Sequence, residues 1–494
     1  MSDSFKTRPV GRGSIGTIMN TPLPPPETTP VDTAAVTAAA PPALPPGPPP
    51  RWFGLPLLNA MRTDYLGFIS ALQRDYGDIC RLRLGWEDAY SLHTPELVRA
   101  ALVDHAEHLR RWERGVEVFA DAFGQSVLTT EGATWQRQRR MLQLAFTPRR
   151  VAGYAALMRA AAVQGLDQAV PAGQTQALVD MDALFARVTM DVILRTLFGT
   201  PVAGEAEAAI HATRVLGATA MREMFHPVAL PDALPLPGKA AKRRALHSLR
   251  TLIEGHISRR RQQPDPAAGD DLLARLLALR DEHSGAALSA AELHDQCLVS
   301  FQAGHDTTAT ALLWWSRLLA EHPMAAARAQ AEIDCVLAGR DPGPDDLAAL
   351  PWLVATLKEA LRLYPPIAGL MTRRTTRELQ LQGWRIRRGA LLYITPWLLQ
   401  RDPRNFEQPE VFRPERFLPE APPPPRGAWI PFGLGPRVCI GQHFAMLEMT
   451  LVAALLLQRF ELVLPADAPP ATPVLQVTLR PRHGLSLWLR RRSG

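Results

Sequence analysis

Cys439 stands in the segment Pro431-Phe-Gly-Leu-Gly-Pro-Arg-Val-Cys-Ile-Gly441, a glycine-rich loop that runs straight into an apolar helical pattern over 441–459. A sulfur just before a helix meets the positive end of the dipole and the free N–H groups of the first turn, which stabilise a thiolate. On iron, a thiolate donates electron density and favours O–O cleavage. Phe432, Gly435, Arg437, Cys439 and Gly441 fill the pattern F-x-x-G-x-R-x-C-x-G. Gly435 and Gly441 allow the backbone close approach to a bound group. The alternative is a structural cysteine in a Gly-Pro turn.

A second cluster is Ala303-Gly-His-Asp-Thr-Thr308. Glycine and β-branched threonine lower helix propensity, so this run in the middle of a helical pattern breaks a local rule, as functional sites often do. Asp306 and Thr307 put an acid beside an alcohol, while His305 reads as a spacer. The competing reading has Thr307 and Thr308 bonding back to the previous turn and Asp306 merely solvated. Glu359 and Arg362 of Lys358-Glu-Ala-Leu-Arg362 share a helix face, which alone is an ordinary surface ion pair. Trp135 and Arg139 also lie one helical turn apart.

The elements that must carry these groups are mostly helical. Apolar periodicity predicts helices over 67–76, 94–104, 133–146, 150–169, 179–198, 206–223, 239–261, 271–282, 289–321, 323–338 and 351–363. The long helix opens on Ser289-Ala-Ala-Glu292, a capping box, and stops near His322-Pro323. Alternation over 79–84 and 89–92 predicts a hairpin, and short strands follow over 379–392 and 475–489. Residues 1–50 are dense in proline with Ala and Thr between, which predicts a disordered Pro-rich N-terminal tail, followed by one folded unit over 51–494. The fold class is mainly α with a smaller β part.

With these motifs in order from Trp135 to Gly441, the chain resembles the cytochrome P450 family, and the likeness covers about residues 50–494. The loop at Cys439 matches that family's haem-binding loop. Ala303 to Thr308 matches its A-G-x-[DE]-T-T segment, Glu359 and Arg362 its E-x-x-R, Phe412-Arg-Pro-Glu-Arg-Phe417 its P-E-R-F, and Trp135 with Arg139 its W-x-x-x-R. The resemblance implies a cytochrome P450 fold with haem b in a single domain, and Cys439 as the axial ligand of its iron. Trp135, Arg139, Ala303, Gly304, Arg373, Phe432, Gly435, Arg437 and Gly441 would then bind the cofactor. Arg139, Arg437 and Arg373 (or its neighbour Arg374) would meet propionates. Asp306 and Thr307 would relay protons while dioxygen is split. Glu359, Arg362 and Arg416 would form a structural trio behind the haem.

The same resemblance implies insertion of one oxygen atom from dioxygen into a hydrophobic organic substrate, by hydroxylation or epoxidation. The haem domain would use the chain up, so electrons from NAD(P)H would arrive through a separate ferredoxin or flavodoxin and its reductase. Peroxide-driven or isomerising relatives usually lack the acid–alcohol pair, which is intact here. A haem sensor would normally carry an output domain, and none is visible. A cofactor-free helical scaffold is the third alternative.

Bulk properties agree with such an enzyme. The chain has 494 residues, 47% hydrophobic and 21% charged, enough for a sizeable core. A net charge of +7 with no long basic block argues against nucleic acid as a partner. Cys80, Cys297 and Cys335 are scattered and read as buried free thiols, which suggests a reducing, cytoplasmic setting. The apolar stretch 449–457 is too short for a membrane span. Specificity is expected from 125–130, 206–240 and 367–370, which are largely apolar or neutral.

Overall fold

Gly54 lies so close to the hairpin strand beside it that an added Cβ would meet the Arg83 carbonyl oxygen at 2.0 Å. A 3-10 turn, Arg51–Gly54, here opens into α1 (Leu55–Thr63) and α2 (Tyr65–Tyr76). The computed structural model describes residues 43–199, 204–224, 234, 238–267, 269–369 and 372–492, all within one unit. Most of the proline-rich tail expected over 1–50 lies outside the described residues. Its last part differs from that expectation: Ala43 bridges to Trp384, and Pro46 O accepts from Arg81 N at 2.7 Å. Paired backbone in an apolar setting keeps a segment ordered even where its composition reads as coil.

The hairpin is β1 (Ile79–Leu84) and β2 (Glu87–Leu92). The helix expected over 94–104 is α3 (Pro95–Arg99), continued by a π turn over Ala100–Asp104, and then comes β3 (Leu109–Arg111). A helix not foreseen, α4 (Glu113–Phe123), precedes α5 (Gly132–Ala145). The stretch 150–169 divides at Gly153 into α6 (Pro148–Ala152) and α7 (Ala155–Ala169). The pattern starting at 179 gives its first residues to β4 (Gln176–Asp180), because Asp180 pairs across the chain with Ser486. Asp180 then caps α8 (Met181–Phe198), accepting from the Asp182 and Ala183 amides at 2.9 and 3.1 Å.

Next come α9 (Glu205–Met224), α10 (Lys239–Arg261), α11 (Leu272–Ala278), α12 (Ala290–Glu321), α13 (Pro323–Leu337) and α14 (Pro351–Leu363). The capping box at Ser289 and Glu292 forms as expected. At 32 residues, α12 is about 48 Å long and crosses most of the fold. Strands β5 (Arg373–Thr375), β6 (Leu379–Leu381), β7 (Trp384–Ile386) and β8 (Leu391–Ile394) lead to a short α15 (Pro396–Leu399) and to α16 (Gln442–Arg459). The chain ends in β9 (Phe460–Val463), β10 (Pro473–Leu475), β11 (Leu479–Pro481) and β12 (Ser486–Arg491).

The main sheet has the order β1-β2-β8-β5-β3, antiparallel except where β2 meets β8. A second sheet is β4-β12-β9, and β10-β11 and β6-β7 are hairpins. The architecture is mainly α with a smaller β part, as the periodicity implied. The core is helical: α7, α8, α12, α14 and α16 bury one continuous apolar cluster. Trp315 of α12 lies inside it and Trp314, also fully buried, stacks on Tyr364; their indole N–H groups donate to Thr356 Oγ1 (2.9 Å) and Leu479 O (2.6 Å), respectively. These bonds tie the middle of α12 to the C-terminal strands and to α14. Cys80 and Cys297 are buried, but Cys335 is exposed on α13, against expectation. A helix in contact on one side turns its other face to water, and Cys335 lies on that face.

Candidate active site

The loop before α16 and the middle of α12 border one cavity of about 890 Å³, which brings Cys439 and Thr307 into the same space. The Cys439 amide donates to Phe432 O at 2.8 Å, folding the loop back on itself, and the Cys439 side chain opens into the cavity. Burial pushes the thiol above its ordinary value, partly opposed by the Gly441 N–H and the Arg139 charge. Phe432 and Gly441 line the cavity, and a Cβ at Gly441 would meet nothing within 4 Å. Gly435 corrects the expectation. It is absent from the cavity wall, and its φ of 77° and the Leu102 carbonyl, 2.0 Å from where a Cβ would sit, explain why glycine is needed. Gly433 lines the cavity instead.

Arg111, Arg139, Arg373 and Arg437 are among the arginines that border this space. Arg437 lies 4.0 Å above the Trp135 ring and pairs with Glu131 at 2.5 Å. Arg139 donates to Val438 O at 2.7 Å, and its Nε is buried without a partner. Arg373 lines the cavity, and burial together with Arg437 pushes it down to about 10. Arg111, which the motifs did not flag, lies on β3 opposite Arg373 and is 6% exposed. Burial, then Arg437 and Arg373, push it well below its ordinary value. The Glu131 carboxylate opposes that crowding at Arg111, Arg373 and Arg437. Crowded cations in low dielectric favour an added anion. Arg374 points the other way, to Glu87 and Glu113 at 2.8 and 2.7 Å, because neighbouring strand residues face opposite sides.

On α12, Ala303, Gly304, Asp306 and Thr307 all line the cavity. Gly304 has a further reason to be small: a Cβ there would approach Ile193 Cδ1 of α8 at 2.9 Å, so it also serves helix packing. Thr307 and Thr308 donate to Ala303 O and Gly304 O at 2.9 and 3.0 Å, the back-bonding of the simpler reading. Asp306, by contrast, is not merely solvated. It accepts from Thr478 Oγ1 at 3.0 Å and pairs with Arg480. Burial alone would raise its carboxyl, but Arg480, His305 and Thr478 outweigh that and hold it below the usual range. His305 is buried against Phe301 and does not line the cavity. Glu448 of α16 is buried, with neither oxygen hydrogen-bonded, and burial raises it far above the carboxylate range beside Thr308.

The ion pair of α14 is fully buried. Arg362 binds Glu359 through two N–H groups at 2.7 and 2.8 Å and donates to Gln400 O and Pro409 O, both at 2.7 Å. Arg416 Nε stands 3.4 Å from Glu359. The trio pins the chain that leads to the cysteine loop.

The remaining wall is apolar. Val127, Leu128, Ile367 and Gly369 belong to segments expected to set specificity, and so do Leu216, Ala220 and Met224 of α9. Leu370 and most of 225–237 lie outside the described residues. Sequence reasoning missed Phe119 and Phe123 of α4 and the turn carrying Val477 and Thr478. The cavity's volume of about 890 Å³ and its thiol, arginines and open glycine fit a flat dianionic metal macrocycle with carboxylate arms.

Comparison with known proteins agrees with that chemistry. Residues 45–487 match the family model described as Cytochrome P450. The chain is 37% identical over 445 residues to cyclooctatin synthase of Streptomyces melanosporofaciens, covering 88% of this chain and 92% of that protein. It is 33% identical over 423 residues to pentalenene oxygenase of Streptomyces avermitilis, covering 85% and 91%. A retinoic acid-bound cyanobacterial CYP120A1 superposes with a TM-score of 0.77 at 28% identity, covering 91% of this chain and 99% of that one. The chain belongs to the cytochrome P450 family. It is a monooxygenase of that family, whose cofactor is haem. Among the described residues, no helix is long and apolar enough to cross a membrane.

Proposed function

We propose that this enzyme inserts one oxygen atom from dioxygen into a cyclic terpenoid or similar hydrophobic substrate, by hydroxylation or epoxidation. The observation that carries the reading is the shared cavity, with Cys439 and the arginines on one side, Thr307 and Asp306 on another, and an apolar wall beyond. Relatives named for cyclooctatin and pentalenene support the terpenoid class. For hydroxylation the balance is R–H + O2 + 2 electrons + 2 protons → R–OH + H2O.

In this reading haem b would supply the redox chemistry, and the Cys439 thiolate would hold its iron. The Gly441 N–H and Arg139 favour the thiolate there. Arg111, Arg139, Arg373 and Arg437 would hold its propionates, and Trp135 supports Arg437. The apolar residues of α4 and α9 hold the substrate and exclude water. Thr307 and Asp306 pass the protons that the balance requires. Electrons come from NAD(P)H through a separate ferredoxin or flavodoxin and its reductase, in the cytoplasm. The partner would dock on the face near Cys439, where Arg140, next to Arg139 on α5, and His443, four residues after Cys439, are exposed.

The test is the spectrum of the purified, dithionite-reduced protein with carbon monoxide, followed by titration with cyclic terpene hydrocarbons. A strongly red-shifted Soret band and a substrate-induced spectral shift are expected. Haem without the red shift would remove Cys439 as ligand, and no response to any cyclic terpene would remove the substrate class.

A further inference from the structure

Gln302 of α12 is 5% exposed and borders the cavity, and its Nε2 donates to Ala122 O of α4. A backbone carbonyl only accepts, so the amide nitrogen must face Ala122 and the amide oxygen must face away. That oxygen, Oε1, has no hydrogen-bond partner among the described residues and is not enclosed by protein. Other buried glutamines spend their oxygens within the fold. Gln138 Oε1 accepts from Thr130 at 2.8 Å and Gln400 Oε1 from the Ile430 amide at 2.9 Å. Gln296, six residues before Gln302 on the same helix, gives its Oε1 to the Val127 amide at 3.2 Å. At Gln302 an acceptor is left over, and it is left at the wall of the substrate space.

The wall around it is apolar. Phe119 and Phe123, close to Ala122 on α4, stack with ring centres 5.5 Å apart and line the cavity, as do Val299 of α12 and Leu216 of α9. A leucine or methionine at 302 would suit a hydrocarbon in such a wall and would leave no polar atom unmatched. An unmatched carbonyl in apolar surroundings costs free energy, which a donor on the ligand recovers. An amide oxygen only accepts, so it favours a ligand with an O–H or N–H and gains nothing from a ketone, an ether or a hydrocarbon. Terpenoids contain carbon, hydrogen and oxygen, so the donor on a terpenoid is a hydroxyl. The bond to Ala122 holds the amide in place beforehand, which lowers the ordering cost of binding.

We propose that Gln302 is a specificity-determining residue whose Oε1 accepts a hydrogen bond from a hydroxyl already present on the substrate, so that this enzyme oxidises a terpenoid alcohol. This rests on the terpenoid reading above. The substrate then stands at least one step beyond its hydrocarbon skeleton, and an earlier hydroxylation, or a ring closure ended by water, must supply it. Hydroxylation adds a second oxygen, with the balance HO–R–H + O2 + 2 electrons + 2 protons → HO–R–OH + H2O.

The experiment measures dissociation constants by calorimetry on the haem-loaded protein, with three matched sets of ligands. These are borneol, bornyl methyl ether and bornane; menthol, menthyl methyl ether and menthane; and cedrol, cedryl methyl ether and cedrane. Each ether keeps the oxygen and lacks its proton. In at least one set the alcohol is expected to bind about 3- to 10-fold tighter than its ether and its hydrocarbon, the gain from one hydrogen bond. Gln302→Met removes the acceptor with little change of volume and is expected to abolish that preference. Loss of the bond to Ala122 also loosens α4, but that weakens all members of a set alike, so the ratio within a set isolates the acceptor. Ser300→Ala removes another hydroxyl that lines the cavity and should leave the preference intact. The carbon monoxide spectrum checks that each variant is folded and loaded. A preference that survives Gln302→Met, or one that Ser300→Ala abolishes, overturns the proposal. Equal affinities within every set overturn it too, since water alone then satisfies Oε1, and they leave the terpenoid reading standing. Should none of the nine compounds bind, the terpenoid reading fails and this inference falls with it.

Discussion

At the scale of single residues, the cavity is decided by which way side chains point. Arg373 and Arg374 are adjacent in the chain, but only Arg373 faces the cavity, and Arg374 is committed to Glu87 and Glu113. Arg373→Leu is therefore expected to lower the haem retained through purification, while Arg374→Leu leaves haem content near the parent value and lowers stability. The ratio of haem absorbance to protein reads both. Asp306 gives a pH prediction. Its folded value lies below its unfolded one, so its pairing stabilises the fold above the ordinary carboxylate range, about 3.9, and that contribution is lost as pH falls through the depressed value. Urea unfolding should therefore find Arg480→Gln weaker than the parent at neutral pH, with the gap closing in acid. Equal gaps at both pH values would contradict the pairing. Thr307→Ala should separate NAD(P)H use from product formation, as measured by product per NAD(P)H consumed, with the carbon monoxide spectrum unchanged.

At the scale of elements, the functional groups stand on helices that are well anchored. The α14 pair has both members fully buried. Removing one partner of a buried pair leaves an uncompensated charge, so Glu359→Ala should cost about 3–5 kcal/mol. Thermal unfolding would register it, and a shift typical of an exposed pair, under about 1 kcal/mol, would contradict the burial. The α12 capping box is partly exposed and local, so Ser289→Ala should cost only about 1 kcal/mol. Legibility in the sequence followed the same division. Helices with a long apolar run, such as α8, α12 and α16, were readable because burial of that run on nearly every side is what forms them. The short α4 and strand β4 were not, since β4 exists only through its pairing with β12.

At the scale of the whole molecule, one chain supplies the haem pocket, the substrate wall and the proposed partner surface. If the proposed partner is acidic, exposed positive charge on the cysteine side would steer it over a Debye length of about 10 Å at 0.1 M salt. The rate at which a reduced ferredoxin reduces this protein should thus fall as salt rises, in stopped-flow measurements. A flat salt dependence would remove the electrostatic docking. The net charge of +7 is compatible with this but does not locate it.

Much of the chemistry could be read from residues close together in the chain. The cysteine loop, the acid–alcohol run on α12 and the i, i+3 pair on α14 depend on spacing within a turn or two, and covalent connection conveys that spacing directly. Folding determined what depends on residues far apart. It set Arg111 beside Arg373 by strand pairing, and it turned Gly435 toward Leu102 and away from the cavity. It also bound Asp306 to Arg480 and Asp182 to Arg214, contacts that join the last strands to α8, α9 and α12. Such contacts form only after apolar burial has packed the helices, and no local pattern encodes which charges will then meet.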